Sequence, residues 1–178
     1  MEAINGNCFI LRDEKKEVYD GIAISEKAQV KDYEGTVAFI DGCDALQAGD
    51  RVHVPHYATQ DYELDGREYV IAKAGDLFAK KVGDTYLPVN RFVKLRKCTN
   101  DHIRDESGEI ALFMTEKHIE ETNWCEIIDV ADDCEWIERK YIGYFCVAPE
   151  SDNKLQRILR TKDFCLHEEK IEFLTDGA

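Results

Sequence analysis

Short apolar runs separated by turn residues make up most of this chain. Arg51-Val52-His53-Val54 alternates polar and apolar residues, which is the pattern of a strand with one buried face. Tyr62–Leu64 and Glu68–Ile71 flank Asp65-Gly66, the two-residue signal of a hairpin with a type I′ turn. No stretch sustains the 3.6-residue period of an amphipathic helix. The pattern therefore predicts an all-β sandwich or barrel.

The other strands predicted from the pattern lie in both halves of the chain. They are Cys8–Leu11, Thr36–Ile40, Arg91–Leu95, Trp124–Val130, Tyr144–Val147, Leu155–Leu159, Phe164–Leu166 and Ile171–Leu174. Residues 80–90 contain Gly83-Asp84 and Pro88 and are predicted to form an irregular connection.

One phrase occurs in each half of the chain: a glycine, five residues rich in apolar side chains, and a proline. It is Gly49–Pro55 in the first half and Gly143–Pro149 in the second, at an offset of 94. Internal repetition of this kind predicts two small β domains in tandem, residues 1–85 and 86–178.

A smaller offset relates the positions ahead of these phrases. Ile22 and Ile110 each begin an apolar triplet, at an offset of 88. The same offset carries Phe39-Ile40-Asp41 onto Ile127-Ile128-Asp129. The difference between the two offsets predicts six additional residues in the second copy before Gly143.

The two triplets lie inside long polar segments, residues 13–34 and 97–122. Loops longer than about 12–15 residues are uncommon in compact domains and are usually functional or disordered. Either each triplet is a strand edge packed into its own domain, or each segment is a mobile arm that presents apolar anchors to a partner. Gly21, directly before the first triplet, favours mobility because glycine leaves the backbone unrestricted.

The acidic composition argues against several classes of partner. The formal net charge is −14, whereas phosphate binding needs clustered Lys and Arg, so no nucleic-acid partner is expected. No apolar run approaches the roughly 18 residues of a membrane span. Residues 1–6 resemble neither a signal peptide nor a transit segment. A cytoplasmic protein without a membrane partner is predicted.

The seven cysteines are interpreted as reduced, buried and inert. They include no C-x-x-C pair, and an odd count does not suit a disulfide framework. His53-x-x-His56 and Cys165-x-His167 lack two further ligands at the spacing of a structural zinc site, so no metal is expected. The carboxylates of Asp132-Asp133-x-Glu135 are interpreted as a solvated turn.

Several phrases of the first half follow one another in the order found in a known family. They are Asp20–Ile24, Gly35–Ala38, Ala48–Val52, Leu64–Ile71 and Gly75–Ala79. In this order they resemble the GroES-type co-chaperonins, the chaperonin-10 family, whose mobile loop holds a glycine and an apolar triplet. The resemblance covers nearly the whole first copy.

The second half resembles the family more weakly. Tyr144 stands where the first copy has Asp50, and Asn123 where it has Gly35. The family's roof hairpin has no room in Asp41–Ala48, whereas Asp129–Ile142 is long enough for a reduced one. The tandem arrangement is similar to the two-domain co-chaperonins of plastids, although a bacterial or phage-infected host cell is expected because no transit segment is seen.

The resemblance implies two tandem GroES-like β-barrels, each with a long mobile loop, in a ring-shaped homo-oligomer. Such a ring would cap a GroEL-type chaperonin and assist client proteins, indirectly, to fold in the closed chamber. No cofactor is expected, because the nucleotide is bound by the partner chaperonin. The residues that the resemblance assigns to chaperonin binding are Gly21, Ile22, Ala23, Ile24, Ile110, Ala111 and Leu112.

Two alternatives to a co-chaperonin are considered. Medium-chain dehydrogenases carry a GroES-like barrel, but the G-x-G-x-x-G turn of their dinucleotide-binding unit is missing here, and no enzyme activity is predicted. The other alternative is a non-catalytic scaffold, or a viral structural or adaptor protein, that reuses the barrel. The apolar triplet in both loops favours the co-chaperonin.

Overall fold

The computed structural model describes residues 3–12, 18–19, 22–23, 33–54, 60–99, 121–148, 156–158, 161–171 and 173–176. Every regular element in these ranges is a strand or a short 3-10 helix, which confirms the all-β class and is consistent with tandem GroES-like barrels. The chain divides into two compact units, Met1–Tyr86 and Leu87–Ala178. That the second unit is a copy of the first stays a prediction.

Nine strands precede residue 89 in the described residues. They are Asn7–Arg12 (β1), Val18–Tyr19 (β2), Ile22–Ala23 (β3), Tyr33–Ile40 (β4), Arg51–Val54 (β5), Gln60–Leu64 (β6), Arg67–Lys73 (β7), Ala79–Val82 (β8) and Thr85–Pro88 (β9). Strands β2 and β3 pair with each other, and the other seven form one sheet in the order β6-β7-β1-β4-β5-β8-β9. A 3-10 helix, Ala74–Asp76, joins β7 to β8.

Alternation along the central strand β1 explains which face of the first sheet is buried. Cys8 and Ile10 are completely buried, whereas Phe9 and Leu11 between and beyond them are partly exposed. Successive side chains of a strand point to opposite faces, so this pattern places one face of β1 in the core. The sheet positions Val37 and Val52 on the same core.

Two tight hairpins close the edges of the first sheet. Asp65 and Gly66 have φ of 50° and 72°, as the predicted type I′ turn between β6 and β7 requires. The prediction of an irregular connection over residues 80–90 is wrong, because Gly83-Asp84 turns the chain between β8 and β9. Pro88 does not interrupt a strand there, since it ends β9.

The second sheet contains six strands within the part of the chain that the structure describes. They are Phe92–Thr99 (β10), Glu121–Val130 (β11), Phe145–Val147 (β12), Gln156–Arg157 (β13), Asp163–His167 (β14) and Leu174–Thr175 (β15). Their order is β13-β14-β10-β11-β12-β15. A 3-10 helix, Glu168–Lys170, joins β14 to β15 as Ala74–Asp76 joins β7 to β8.

The two sheets share one strand order. The second sheet has the order of the first sheet without β9 when the strands are matched in chain order. The matches are β10 with β1, β11 with β4, β12 with β5, β13 with β6, β14 with β7 and β15 with β8. The core of the second unit is built at the corresponding places, with Leu95 on β10 and Ile127 on β11 both completely buried. This correspondence supports the prediction of a tandem repeat.

Backbone hydrogen bonds fix how the two halves align. The amide of Gly49 donates to the carbonyl of Val37 at 2.8 Å, and the amide of Gly143 donates to that of Ile127 at 2.9 Å. Val37 therefore corresponds to Ile127, at an offset of 90, and the predicted offset of 88 is wrong for this strand. The second copy is longer by four residues between these points, not by six.

Residues 131–144, all of which the structure describes, contain no strand. They form turns and the 3-10 helix Arg139–Tyr141. The expectation of a reduced roof hairpin in Asp129–Ile142 is therefore wrong. The physical reason is that backbone donors of this segment bond to a buried side chain, Glu168, described below.

Candidate partner-binding loops and their base

Each predicted loop starts at the end of one strand and returns at the start of the strand paired with it. The two strand pairs are equivalent in the two units. In the first unit Arg12, at the end of β1, is opposite Gly35 on β4. In the second unit Thr99, at the end of β10, is opposite Glu121 at the start of β11. Because each pair is antiparallel and hydrogen-bonded, the two ends of each loop are held side by side on a rigid sheet.

The structure describes part of the first triplet. Ile22 and Ala23 form β3, whose partners on β2 are Tyr19 and Val18 respectively. The other predicted binding residues lie outside the described residues, namely Gly21, Ile24, Ile110, Ala111 and Leu112. Binding by these seven residues stays a prediction.

Gly35 permits a close approach between strands at the base of the first loop. A Cβ atom at this position would clash with Cγ2 of Ile10 and would lie 2.9 Å from the carbonyl oxygen of Leu11. Contacts this short are essentially never seen for a real Cβ, and one of them is to backbone, which has little room to move. Only glycine fits here without displacing β1.

Glu34, next to Gly35, binds three side chains from other strands. Its carboxylate accepts hydrogen bonds from Arg51 Nη2 at 3.0 Å, from Lys81 Nζ at 3.0 and 3.1 Å and from the hydroxyl of Tyr86. Burial alone would raise the pKa of Glu34, but the bonds from Tyr86, Lys81 and Arg51 lower it to about 2. The cluster joins β4, β5, β8 and β9 where the loop returns to the sheet.

The second unit has aromatic side chains at the equivalent place. Trp124 occupies the position of Glu34, because it is opposite Val147 on β12 as Glu34 is opposite His53 on β5. Its ring lies 6.2 Å from that of Phe173 in an edge-to-face arrangement. The position that holds a carboxylate bound to three side chains in the first unit thus holds an aromatic pair in the second.

A buried carboxylate organises the opposite end of the second unit. Glu168 is 1% exposed and accepts backbone hydrogen bonds from Glu135, Trp136 and Ile137 at 2.8–3.1 Å. Nε of Arg91 donates to the same carboxylate at 2.7 Å. Burial would raise the pKa of Glu168, but these backbone bonds and the Arg91 guanidinium lower it to about 2.

The 132–135 turn is solvated, as predicted, since Asp132, Asp133 and Glu135 are all exposed, but two of its carboxylates also bind Arg91. Oδ1 of Asp133 accepts from the backbone amide of Arg91 at 3.0 Å, and Glu135 forms an ion pair with its guanidinium at 3.3 Å. Sequence reasoning missed this cluster because its partners are far apart in the chain. Asn90-Arg91 stands where the first copy has Asn5-Gly6. This charged residue in place of a glycine was the signal that the sequence offered for the cluster.

Five of the seven cysteines are buried as predicted, whereas Cys43 and Cys134 are partly exposed. All seven lie in described residues and none forms a disulfide. Burial raises the pKa of Cys8 and of Cys146 to about 12, so both remain protonated thiols at neutral pH.

No cluster of three or more potential metal ligands occurs in the described part of the chain. None of the helices in those ranges has the length and apolar character needed to cross a bilayer.

Two comparisons with known proteins concern the first unit. The family model described as the chaperonin 10 kDa subunit matches residues 2–81. The Co-chaperonin GroES of Natranaerobius thermophilus is 35% identical over 80 residues, which cover 39% of this chain and 83% of that protein. Residues 2–81 contain the first loop and Glu34, Arg51 and Lys81 at its base, whereas Tyr86 lies beyond the match.

Proposed function

The chain belongs to the chaperonin-10 family, and on that premise we propose that it caps a GroEL-type chaperonin and helps client proteins to fold in the closed chamber. A co-chaperonin function in general follows from the family match and the relative. The proposal adds the mode of action: a ring of chains, acting in the cytoplasm, binds the chaperonin through the apolar triplets of its loops.

The observation that carries the proposal is the placement of the first loop. The residues that begin its triplet, Ile22 and Ala23, form a short strand within a long connection. That connection starts and ends on paired strands, β1 and β4. The base formed by Gly35 and Glu34 would hold such an arm at one end of the central strands β1 and β4.

Weak binding by each arm suits this role. Two large apolar side chains per triplet supply about 3–6 kcal/mol when fully buried. Fixing the backbone costs about 1–2 kcal/mol per residue, so a single arm would bind feebly. Several arms in one ring bind together with useful avidity and still release when the partner changes shape. Capping of the chaperonin requires only binding by these loops, and no chemical step is required of this chain.

Capture by a GroEL-type tetradecamer in the presence of nucleotide tests the proposal. Three variants are compared: Ile22→Asp with Ile24→Asp, Ile110→Asp with Leu112→Asp, and all four changes together. We expect each pair to weaken capture and the four changes to abolish it, with the far-ultraviolet circular dichroism spectrum unchanged.

A matched control is Tyr62→Asp, which places the same charge at an exposed apolar residue of β6, away from the loops in the sequence. Its capture should equal that of the wild type. Undiminished capture of the fourfold variant would refute the assignment of these residues. Failure of the wild type to be captured would refute the capping function itself.

A further inference from the structure

Equivalent turns, residues 4–7 and 89–92, lie at the start of the first strand of each unit. In both turns the amide of the last residue donates a hydrogen bond to the carbonyl of the first. The central residues are Asn5-Gly6 and Asn90-Arg91, and all four have positive φ. The two centres therefore share an asparagine and differ in the residue that follows it.

The peptide group between Asn5 and Gly6 is held by a charged side chain on each side. Its N–H, that of Gly6, donates to Oδ2 of Asp41 at 2.9 Å. Its carbonyl oxygen, that of Asn5, accepts from Nζ of Lys73 at 2.9 Å. The carboxylate can take the proton from the N–H, and the ammonium stabilises the negative charge that this leaves on the peptide group. Together the two groups make the nitrogen of Gly6 a better nucleophile.

The side chain of Asn5 is the nearest electrophile along the chain. Attack of the Gly6 nitrogen on Cγ of Asn5 closes a five-membered ring, and a reaction between neighbours in one chain benefits from their proximity. Because Gly6 has no side chain, nothing on its own Cα hinders the closure. Asn5 is exposed, so water can reach the ring and ammonia can leave it.

We propose that Asn5 is a self-modification site, at which the folded chain converts this asparagine to aspartate and isoaspartate with Asp41 as the base. First the bond from the Gly6 nitrogen to Cγ of Asn5 forms, and the bond from Cγ to Nδ2 breaks. The proton of the Gly6 amide passes to Asp41 and then to the departing Nδ2, which leaves as ammonia. Water then opens the ring, at Cγ to give aspartate or at the main-chain carbonyl to give isoaspartate.

The isoaspartate product would loosen the start of the first sheet, because it lengthens the main chain by one methylene group inside a tight turn. The carbonyls directly after the modified bond, those of Gly6 and Asn7, accept backbone hydrogen bonds from Ala74 at 2.9 Å and from Asp41 at 3.1 Å. A longer turn changes the spacing of these bonds. The melting temperature of the first unit should therefore fall as the protein ages.

The turn of the second unit is a control that the chain itself supplies. The amide of Arg91 donates to Oδ1 of Asp133 at 3.0 Å, so a carboxylate lies on the equivalent N–H. The side chain of Arg91 is anchored to Glu168 by a hydrogen bond of 2.7 Å, and ring closure would have to displace it. We expect Asn90 to remain an asparagine.

Tryptic peptide mapping of the full chain after prolonged incubation at neutral pH tests the proposal. Fragmentation that separates isoaspartate from aspartate locates each product. The peptide that ends at Arg12 should gain both products at position 5 while Asn7 stays intact. The peptide that ends at Arg91 should keep Asn90.

Two variants separate the contributions of the base and of the glycine. Asp41→Asn should slow the conversion by about 10²-fold, the lower end of what a general base contributes. Gly6→Arg copies the turn of the second unit and should abolish the conversion. The matched control is Asp44→Asn, which removes an exposed carboxylate from the same segment after β4 and should leave the rate unchanged.

Wild type unfolded in guanidinium chloride gives a comparison that depends on the folding of no variant. It keeps the Asn5-Gly6 sequence but loses the contacts with Asp41 and Lys73, so its conversion should be slower than that of the folded chain. An unmodified folded wild type, conversion at least as fast in the denaturant, or a wild-type rate in Asp41→Asn would each overturn the proposal.

Discussion

The Arg91 guanidinium lies 2.7 Å from the buried carboxylate of Glu168, from Nε to Oε1. Arg91 adopts φ of +63°, at the position where the first copy has Gly6. A left-handed conformation costs a non-glycine residue about 1–3 kcal/mol unless its surroundings hold it. The ion pair with Glu168 and the hydrogen bond from the Arg91 amide to Asp133 stabilise the left-handed conformation of Arg91.

Replacing Glu168 should unfold the second unit more easily. Glu168→Ala leaves three backbone donors and one guanidinium without their acceptor, and we expect a loss of about 3 kcal/mol in the free energy of unfolding. Urea denaturation followed by tryptophan fluorescence measures it. Glu169→Gln, at the adjacent and largely exposed position, is the control and should change stability by less than about 0.5 kcal/mol. Equal stability of Glu168→Ala and wild type would contradict the structural role of this carboxylate.

Acid should destabilise the protein through Glu168 and Glu34. The pKa of each is lowered from 4.5 to about 2 in the folded chain, so the folded state favours the ionised form. Their contribution is complete above pH 4.5 and is lost as the pH falls toward 2. The urea midpoint measured between pH 7 and pH 2.5 should drop over this interval, and the drop should be shallower in Glu168→Gln. A midpoint that stays constant to pH 2.5 would count against both assignments.

Gly35→Ala should destabilise the first unit. The new methyl group would clash with Ile10 and the backbone of Leu11, and overpacking of this kind costs about 1–3 kcal/mol. Gly75→Ala is a matched control, because a Cβ at Gly75 has no heavy atom within 4 Å. Thermal unfolding should show a lower melting temperature for the first variant alone. Similar melting temperatures for the two would show that β1 and β4 are not held this closely.

Tyr86→Phe removes one donor from Glu34 and leaves the ring that packs on His53. We expect a loss of about 1 kcal/mol in unfolding free energy and a higher pKa of Glu34, because the hydroxyl bond is the largest influence that lowers it. Carboxyl titration by nuclear magnetic resonance would measure the pKa directly. Tyr62→Phe, on the exposed strand β6, should change neither quantity. An unchanged Glu34 pKa in Tyr86→Phe would show that this hydrogen bond is not formed in solution.

Local sequence determined the class of structure and much of its repetition. Strand β5 and the turn at Asp65-Gly66 were predicted correctly, because alternation and positive φ are properties of a few adjacent residues. The predicted equivalence of Gly49 and Gly143 is supported by the like hydrogen bonds that their amides donate to β4 and β11. The family resemblance of the first half was confirmed, as the order of such phrases along the chain is itself a sequence property.

Only the tertiary structure decided the register of the strands and the partners and exposure of their side chains. The offset of 90 between Val37 and Ile127 depends on interstrand hydrogen bonds, which no local pattern specifies. Glu168 and Glu34 are acidic residues like many others in this chain until folding brings donors from distant strands to them. The exposure of Phe173 and Ile4 likewise depends on which strands cover them. Burial and register arise from contacts between segments far apart in sequence, so only the folded chain shows them.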